Sequence, residues 1–583
     1  MRELLLKVIP FTSFTTKMAE IVCGDVQVGK LIRKLIMQTT MFNYDGIATY
    51  VIIDIFKEFL FWELQENYSS QNIKNLYSRA GVYYEMKGQL AEALACYAKC
   101  GDSRKISELL MRHAQLNPAL ASYYDVEEYY RALPHKEILR SPILMCAISM
   151  LCALTLDFEG SDFWYQELKK YADTLQVGDG EYAEVQGRIA YLDISLPHRG
   201  KQDIMEMLLN LYKLKRAHKI VVPSFSVTSN LPSILNGGRD FSSWTKRDDS
   251  LYASIGKAVE YVVGQDGVGL ADCALFESKY EKDENDQGRL LKLISRLSEI
   301  QSRGTPDIEF AVEGQFIREQ VMCGKGEEAL ATLHNLRERF VSLGLKRFFA
   351  NMDALECRIQ LRLGDKVAVD TWYREKAPKD FLHLRAMKRY CYTTSAMVEL
   401  AHGAYEKCLL TMAQLEPYYK KCGRNLDLID LKLLQALARY GLQDSQWEEN
   451  LAEALDLCSE YHFIRPVSEG GSALLPLLMQ TKWSRNPEFL AKLKKATRKV
   501  AIYYPNFLCQ QKTLIEPLTD AEKQVLKLIC HNLSNEEIGK VLNIRVSTVK
   551  THVSHILQKM DIKRRSAARD LALKLHIFPS DSF

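Results

Sequence analysis

The stretch from Leu518 to Leu575 decides the fold of the C-terminal part of the chain. It reads LTDAEKQVLKLICHNLSNEEIGKVLNIRVSTVKTHVSHILQKMDIKRRSAARDLALKL. Two capping boxes predict helix starts in it: Thr519 with Glu522, and Ser534 with Glu537. In such a box a hydroxyl and a carboxylate satisfy backbone N–H groups that the first helical turn leaves free. We therefore expect a small helical module here.

A third helix follows and separates apolar from polar residues. Ser547 precedes it and can cap it, and the short gap from Asn543 to Val546 is typical of a helix-turn-helix. We expect the apolar face to pack on a small core and the polar face to fit the major groove of DNA, where such side chains can contact base edges. The apolar face holds Val549, Val553, Ile556 and Met560, and the opposite face holds Lys550, Thr551, Ser554 and Gln558.

Positive charge is concentrated in the same stretch. Between Lys540 and Lys574 there are nine basic residues, opposed only by Asp561 and Asp570. This local excess suits a phosphate backbone. The alternative is a solvated basic helical bundle that binds no nucleic acid.

These residues resemble the LuxR-type helix-turn-helix of bacterial transcription regulators. Departures such as Arg545, where Ser is common, and Ser554, where some relatives carry Lys, leave the fold signature intact but make the target sequence unpredictable. The matching elements are Leu518-Thr519, Glu522, Val525-Leu526, Leu533-Ser534-Asn535, Glu537-Ile538, Leu542, Ile544, Thr548-Val549-Lys550, His552, Ile556, Lys559 and Arg565.

The resemblance implies a set of DNA-binding residues and a fourth helix. In LuxR-type modules the fourth helix, here Ser566 to Leu575, commonly pairs two copies on DNA. The alternative is that its apolar stripe of Ala568, Leu571, Ala572 and Leu575 packs on the core of its own module. The implied DNA-binding residues are Ser547, Thr548, Lys550, Thr551, His552, Ser554, Lys559 and Arg565.

The composition of the whole chain restricts the class of protein to which it can belong. At 583 residues several domains are expected, and the formal charge of +4 shows that the basic character is local. The 14 cysteines have no ligand spacing and are typical of reduced thiols in a cytoplasmic protein. No signal-peptide pattern is evident. The longest apolar run, 143–156, is too short to span a bilayer and predicts a buried helix.

Helical periodicity dominates the body of the chain. The segment Leu76 to Asp102 fits a tetratricopeptide repeat, with Gly81, Tyr84, Gly88, Ala93 and Tyr97 where two antiparallel helices pack. Looser pairs surround Gly324-Lys325-Gly326 and Gly403-Ala404-Tyr405, and another starts at Trp447. These patterns predict an α-solenoid whose curved inner surface is a natural binding face. The alternative is a helical spacer without a ligand.

The body also resembles the helical effector domain of the large MalT-like subgroup of LuxR-type regulators. The stretches from Ser224 to Trp244 and from Leu451 to Leu478 carry this resemblance. The basic segment from Lys492 to Lys499, followed by Tyr503 to Pro517, is interpreted as a tether to the DNA module.

Residues 1–64 look like the small winged-helix region of this subgroup, with two amphipathic helices, a Tyr44-Asp45-Gly46 turn, a short strand and another helix. Relatives normally carry an ATP-binding domain before this point. The string from Gly24 to Lys30 satisfies GxxxxGK, but Leu31 follows where a phosphate-binding loop needs Ser or Thr. A nucleotide-hydrolysing switch would rest on this string alone.

The sequence therefore predicts an all-α chain with four parts: a winged-helix-like region (1–64), a tetratricopeptide-like solenoid (65–480), a basic linker (481–517) and a four-helix DNA-binding module (518–583). We expect a cytoplasmic, non-enzymatic transcription regulator without a cofactor, a metal site or catalytic residues. The expected partners are double-stranded DNA, a small-molecule or protein effector, and RNA polymerase, with a dimer forming on DNA and no membrane. The alternative is an interaction scaffold whose DNA module is vestigial.

Overall fold

The chain is helical almost throughout, and the predicted all-α class is confirmed. Contacts between its residues divide the chain into two compact units. The first comprises residues 1–152 and 159–192, and the second comprises residues 153–158 and 193–583. In the described ranges no helix is long and apolar enough to cross a membrane. The computed structural model describes all residues except 39–41, 45–48, 117–121, 200–203, 218, 222, 224–227, 229, 285–286, 382, 509–517, 532, 561, 563, 569–571 and 573–583.

The chain up to residue 195 forms thirteen described helices and three strands. In chain order they are α1 Arg2–Val8, β1 Phe14–Thr15, α2 Thr16–Cys23, α3 Val28–Gln38, β2 Phe42–Tyr44, β3 Thr49–Ile52, α4 Asp54–Asn67, α5 Ser70–Met86, α6 Leu90–Cys100, α7 Ser103–Leu116, α8 Ser122–Asp125, α9 Glu127–Ala132, α10 His135–Leu139, α11 Pro142–Leu154, α12 Phe158–Asp173 and α13 Tyr182–Ser195. The apolar run at 143–156 falls in α11 and is buried, as expected.

Three antiparallel strands in the order β1-β3-β2 accompany the first helices. Tyr50 of β3 pairs with Phe14 on one side and with Tyr44 on the other. Helices followed by a β-hairpin agree with the winged-helix-like expectation, although Asp45 and Gly46 of the expected turn lie outside the described residues. The sequence predicted one strand, because strands of two and three residues are too short to display alternation.

The winged-helix-like region and the first helical repeat share one core. Leu4, Met18 and Ile32 lie in the same buried cluster as Leu76 and Tyr83. The hydroxyls of Thr15 and Tyr83 also lie 2.8 Å apart, and Arg79 Nη1 donates to the carbonyl of Val22 at 3.1 Å. The boundary expected between residues 64 and 65 therefore does not separate two cores.

The predicted tetratricopeptide hairpin is formed by α5 and α6. A Cβ on Gly81 would lie 2.7 Å from the ring of Tyr97, which is fully buried. Only glycine lets the helices approach this closely, since any side chain would displace the tyrosine ring. Gly88, with a φ of 70°, forms the turn between the two helices.

The GxxxxGK string connects two helices. Gly24 ends α2 in the left-handed conformation, and Gly29 and Lys30 already lie in the first turn of α3. A phosphate-binding loop instead follows a β-strand and opens a helix. The surroundings of this string therefore differ from those that nucleotide binding requires.

The second unit is built from helices and short 3₁₀ turns. Its helices are α14 Ile204–Arg216, α15 Asp248–Val263, α16 Leu270–Glu281, α17 Gln287–Arg303, α18 Pro306–Met322, α19 Gly326–Ser342, α20 Phe349–Leu363, α21 Lys366–Glu375, α22 Arg389–Ala401, α23 Tyr405–Lys421, α24 Asn425–Gly441, α25 Trp447–Tyr461, α26 Arg465–Ser468, α27 Gly471–Gln480, α28 Pro487–Tyr503, α29 Asp520–Cys530, α30 Asn535–Leu542 and α31 Val546–Lys559. The 3₁₀ turns are Pro197–Arg199, Ser242–Arg247, Gly264–Gly267, Lys346–Phe348, Ala386–Lys388 and Arg565–Ala567.

Successive helices pair as the repeat patterns predicted. Gly324, with a φ of 78°, forms the turn between α18 and α19, Gly403 forms the turn between α22 and α23, and α25 begins at Trp447. Buried apolar clusters run through these pairs, for example Ile429, Leu451 and Leu477 in one of them. The expected helical repeats are confirmed.

A segment without α-helix, residues 230–244 and here called the strap, packs against these helices. Arg424, which is fully buried and immediately precedes α24, donates to the carbonyls of Gly237 and Gly238 at 3.0 and 3.1 Å, and to Asn236 Oδ1 at 2.6 Å. Arg389 of α22 donates to the same stretch of backbone. Two buried guanidinium groups thus satisfy carbonyls that the irregular strap cannot pair within itself.

The basic segment before the module is not a tether. Lys492 to Lys499 lies inside α28, and α28 packs on α27 with Phe489 and Leu493 in the core. The prediction of a linker from residue 481 is wrong here, because the apolar residues between the lysines recur at helical spacing and bury one face. The described chain continues in contact with the helices up to Phe507, and 509–517 lie outside the described residues.

Candidate DNA-binding site

Both predicted capping boxes are formed. Thr519 precedes α29, and its backbone N–H donates to Glu522 Oε2 at 2.7 Å while the N–H of Glu522 donates to the threonine hydroxyl at 3.3 Å. Ser534 and Glu537 repeat this arrangement at α30 with the same two distances. Reciprocal bonds of this kind fix where each helix begins, and so fix the position of the third helix relative to the first two.

A tight turn of three residues joins α30 to α31. Asn543 ends α30 in the left-handed conformation with a φ of 53°. A Cβ on Gly539 would lie 2.9 Å from the carbonyl oxygen of Ile544, so the turn folds directly against this glycine. Ser547 does not cap α31, contrary to the prediction. The cap position lies two residues earlier, at Arg545, which makes no side-chain bond there, and the helix begins at Val546.

Helix α31 divides its faces as predicted. Val549, Val553, Ile556 and Met560 are buried in the core of the module. The opposite face is open to solvent, with His552 half-buried at its edge. The Thr551 hydroxyl donates to the carbonyl of Ser547 at 3.1 Å, which leaves its oxygen as an acceptor and its methyl group free to touch a base. The exposed residues are Ser547, Thr548, Lys550, Thr551, Ser554 and Gln558.

Two of the predicted DNA-binding residues are bonded inside the module. Lys559 Nζ donates to Glu522 Oε2 at 2.8 Å. Arg565 donates to the side chain of Asn535 and to the carbonyl of Leu533. Lys559 and Arg565 thus contact the first two helices. The other six predicted DNA-binding residues lie on the exposed side of α31 or at its edge: Ser547, Thr548, Lys550, Thr551, His552 and Ser554.

These contacts set the ionisation of the groups involved. Burial alone would raise the pKa of Glu522, but hydrogen bonds from Lys559 and Thr519 outweigh it and hold that pKa below its ordinary value. Partial burial lowers the pKa of Arg565. The carboxylate therefore remains charged throughout the neutral range, which keeps the ion pair with Lys559 intact.

The expected fourth helix is only partly within the described residues. Ala568 and Ala572 are fully buried in the core of the module, and Leu571 and Leu575 lie outside the described residues. The two described alanines therefore agree with packing on the module itself. They contribute no surface to a partner.

Sequence reasoning missed the contacts that join distant segments. Gly539 was not recognised, although a glycine four residues before a helix-turn-helix turn can indicate a close backbone approach. Arg545 and Lys540 are exposed like Lys550 and add positive charge to the surface of the module. Lys and Arg at the rim of a reading face supply phosphate contacts that position the helix.

Comparison with known proteins agrees with this geometry. Residues 516–572 match the family described as bacterial regulatory proteins, luxR family, and residues 298–483 match the MalT-like TPR region. A crystal structure of a signal transduction ATPase with numerous domains from Pyrococcus horikoshii, with a tetratricopeptide repeat sensor, is 13% identical with a TM-score of 0.26. The match covers 86% of this chain and 63% of that protein, and a likeness this low supports no inference. On the two family matches, the chain combines a C-terminal DNA-binding domain of the bacterial regulatory luxR family with a MalT-like TPR region, the composition expected of a MalT-like LuxR regulator.

Proposed function

We propose that the protein is a transcription regulator that binds double-stranded promoter DNA through the exposed face of α31. The observation that carries this proposal is the face from Ser547 to Ser554, whose polar side chains are exposed while the other side of the helix is buried in the core. A helix of this kind fits the major groove, where its first turns reach base edges. The module that begins at Leu518 is the DNA-binding domain in this proposal.

The DNA-binding residues take different roles. Lys550, Thr551 and Ser554 contact base edges, since they lie on the exposed face in the first half of the helix. Ser547, Thr548 and His552 lie at its N-terminus and edge and contact phosphates. Lys559 and Arg565 act on DNA only through their positive charge, because their N–H groups are already bonded to Glu522, Asn535 and Leu533.

The helical repeats sense a ligand or a partner protein in this proposal. Five of their helices, here called the inner helices, line a cavity, and the strap lines it too. The inner helices are α16, α18, α20, α22 and α24. The module binds as a dimer on DNA, since one helix-turn-helix covers only a half-site. RNA polymerase is a proposed further partner through the promoter complex. An effector shifts the DNA-competent state only by its differential affinity for the two states.

Substitution of Lys550 tests base readout. Lys550→Ala should cost on the order of 1–3 kcal/mol in specific binding and leave binding to random DNA nearly unchanged. Lys527→Ala is a matched control, because Lys527 is exposed on α29 away from the reading face. The target is found by selecting tight binders from random duplexes, and affinities are measured by fluorescence anisotropy. An equal loss on both kinds of DNA would make Lys550 a phosphate contact.

A salt titration separates this proposal from an interaction scaffold with a vestigial module. Specific binding that weakens steeply as salt rises is expected, because phosphate contacts release counterions. Lys550→Ala should leave this salt slope unchanged if it reads a base. Selection that enriches no sequence, together with weak binding at low salt, would favour the scaffold.

A further inference from the structure

The second unit encloses a cavity of about 130 Å³ between the strap and the inner helices. Helices α16, α18, α20, α22 and α24 each contribute to its wall, and Phe507 lines it together with Pro466 and Glu469. Apolar side chains such as Leu231, Ile317, Leu355 and Ile359 line much of it. An engineered cavity of 150 Å³ holds benzene, so about six non-hydrogen atoms fit a space of this size.

Most charges around the cavity are satisfied by protein groups. Both oxygens of Glu277 accept hydrogen bonds from the strap, the second from the N–H groups of Ile234 and Leu235 at 2.8 and 3.0 Å. Asp427 is paired with Arg424 and Arg389. These groups hold the strap in place and are not available to a ligand.

Two carboxyl groups that line the cavity can still accept hydrogen bonds from a ligand. Arg318 donates to Glu281 Oε1 at 2.7 Å, whereas Glu281 Oε2 has no hydrogen-bond partner although the residue is only 3% exposed. Asp430 of α24 lines the same cavity and makes no hydrogen bond or ion pair with any described residue. A buried carboxylate oxygen without a donor is costly unless something binds it.

We propose that this cavity binds a small organic cation, an aliphatic amine whose ammonium groups lie against Glu281 and Asp430 and whose methylene groups contact the apolar wall. The assignment rests on the proposed role of the helical repeats as a sensor, and names the class of its ligand. An ammonium group supplies the N–H donors that the two carboxyl groups lack, and its charge compensates theirs.

The electrostatics of the cavity agree with a cationic ligand. Burial raises the pKa of Glu281 and that of Asp430 to about 7, in spite of the nearby guanidinium groups. A bound ammonium stabilises the ionised carboxylates, so amine affinity should rise as the pH passes upward through this range. The groups that act on the pair are Arg318 of α18, Arg358 of α20, Glu277 of α16, Asp427 of α24, Cys458 of α25, and Glu469 beside α26.

Calorimetric titration of the full chain with 1,4-diaminobutane tests the proposal. This probe has six non-hydrogen atoms and two ammonium groups, and 1,4-butanediol is its neutral counterpart of equal size. We expect the diamine to bind at about 1 mM or below, and the diol to bind at least about tenfold more weakly. Diamine affinity should also be higher at about pH 8 than at about pH 6.

Asp430→Asn should weaken diamine binding at least about tenfold. This variant should fold, because Asp430 makes no bond that the substitution would break, and thermal unfolding checks it. Asp173→Asn, an exposed site of the other unit, is the matched control and should bind as the unsubstituted chain does. Equal binding of diol and diamine, an unchanged Asp430→Asn variant, preference for Mg²⁺, or no diamine binding at about 1 mM would each overturn the proposal.

DNA binding is measured on the same samples. Loss of amine binding with intact DNA binding contradicts only the assignment of the cavity. If the unsubstituted chain shows no specific DNA binding, the result contradicts the proposed function instead.

Discussion

Lys559, at the C-terminal end of α31, donates a hydrogen bond to Glu522 Oε2 at 2.8 Å, and the same oxygen closes the capping box of α29. The two residues are far apart in sequence, and the glutamate is 3% exposed. One carboxylate thus holds both the start of the first helix and the end of the reading helix. The position of the reading face depends on this ion pair.

Lys559→Ala should therefore destabilise the module by about 2 kcal/mol, since it removes a hydrogen bond between charged groups and leaves a buried carboxylate without its cation. Lys550→Ala, on the exposed face of the same helix, should change stability by less than about 0.5 kcal/mol. Urea unfolding followed by circular dichroism of the isolated module, residues 518–583, measures both. Equal stability of the two variants would mean that the ion pair contributes nothing.

Gly539→Ala should weaken DNA binding through the turn. The added Cβ would meet the carbonyl oxygen of Ile544 at 2.9 Å, and a backbone atom cannot swing away as a side chain can. We expect a loss of about 1–3 kcal/mol in stability and a changed angle of α31. Gly180→Ala is the control, because open space surrounds Gly180. Unfolding and anisotropy titrations measure the two effects, and an alanine variant with unchanged DNA affinity would contradict the expected shift.

Arg424→Met should release the strap. The substitution nearly keeps the side-chain volume but removes the donors to Gly237 and Gly238, and it leaves Asp427 with one cationic partner, Arg389, beside the amide of Asn236. Breaking a buried ion pair in this way costs about 3–5 kcal/mol. Arg374→Met, at an ion pair exposed to solvent, should be nearly neutral. Proteolysis within the strap, followed by mass spectrometry, should become faster only for Arg424→Met, and resistance in both variants would contradict the assignment.

Asp430→Asn should stabilise the protein in a pH-dependent manner. Folding raises the pKa of Asp430 to about 7, so the protonated form contributes stability in full below the unfolded-state pKa. That contribution is lost as the pH rises through about 7. The asparagine variant does not ionise, and should exceed the unsubstituted chain by on the order of 2 kcal/mol at about pH 8 and by little at about pH 5. Denaturant midpoints at the two pH values check this, and a constant difference would refute it.

Features that depend on neighbouring residues could be predicted from the sequence. Thr519 with Glu522, and Ser534 with Glu537, lie within one helical turn of each other, so their spacing alone identifies the helix starts. The cap predicted at Ser547 lies two positions after the observed one at Arg545, since several polar residues there can begin a helix equally well. The resemblance implied that Lys559 binds DNA, and nothing in the sequence indicates that a glutamate in another helix accepts a hydrogen bond from it.

The strap and the cavity could not be predicted from the sequence either, because they also depend on contacts between residues far apart in the chain. Arg424 donates hydrogen bonds to carbonyls almost two hundred residues earlier in the chain. The sequence alone does not distinguish a buried arginine from an exposed one. Asp430 and Glu281 come from different helices, so their proximity depends on how the repeats stack. Burial and distant pairing follow from tertiary packing rather than from helical period.

The anchoring of Phe507 limits how far the C-terminal module can lie from the helical repeats. The guanidinium of Arg362 lies 4.1 Å from the centre of the Phe507 ring. The carbonyl of Phe507 accepts a hydrogen bond from the Ser472 hydroxyl at 3.2 Å. Leu518 follows Leu508 by ten residues, which reach at most about 35 Å even when fully extended. A module held within such a radius meets the solenoid surface at an effective concentration of about 1 mM. A contact of only about −4 kcal/mol between the module and the repeats would then cover the exposed face of α31 half of the time.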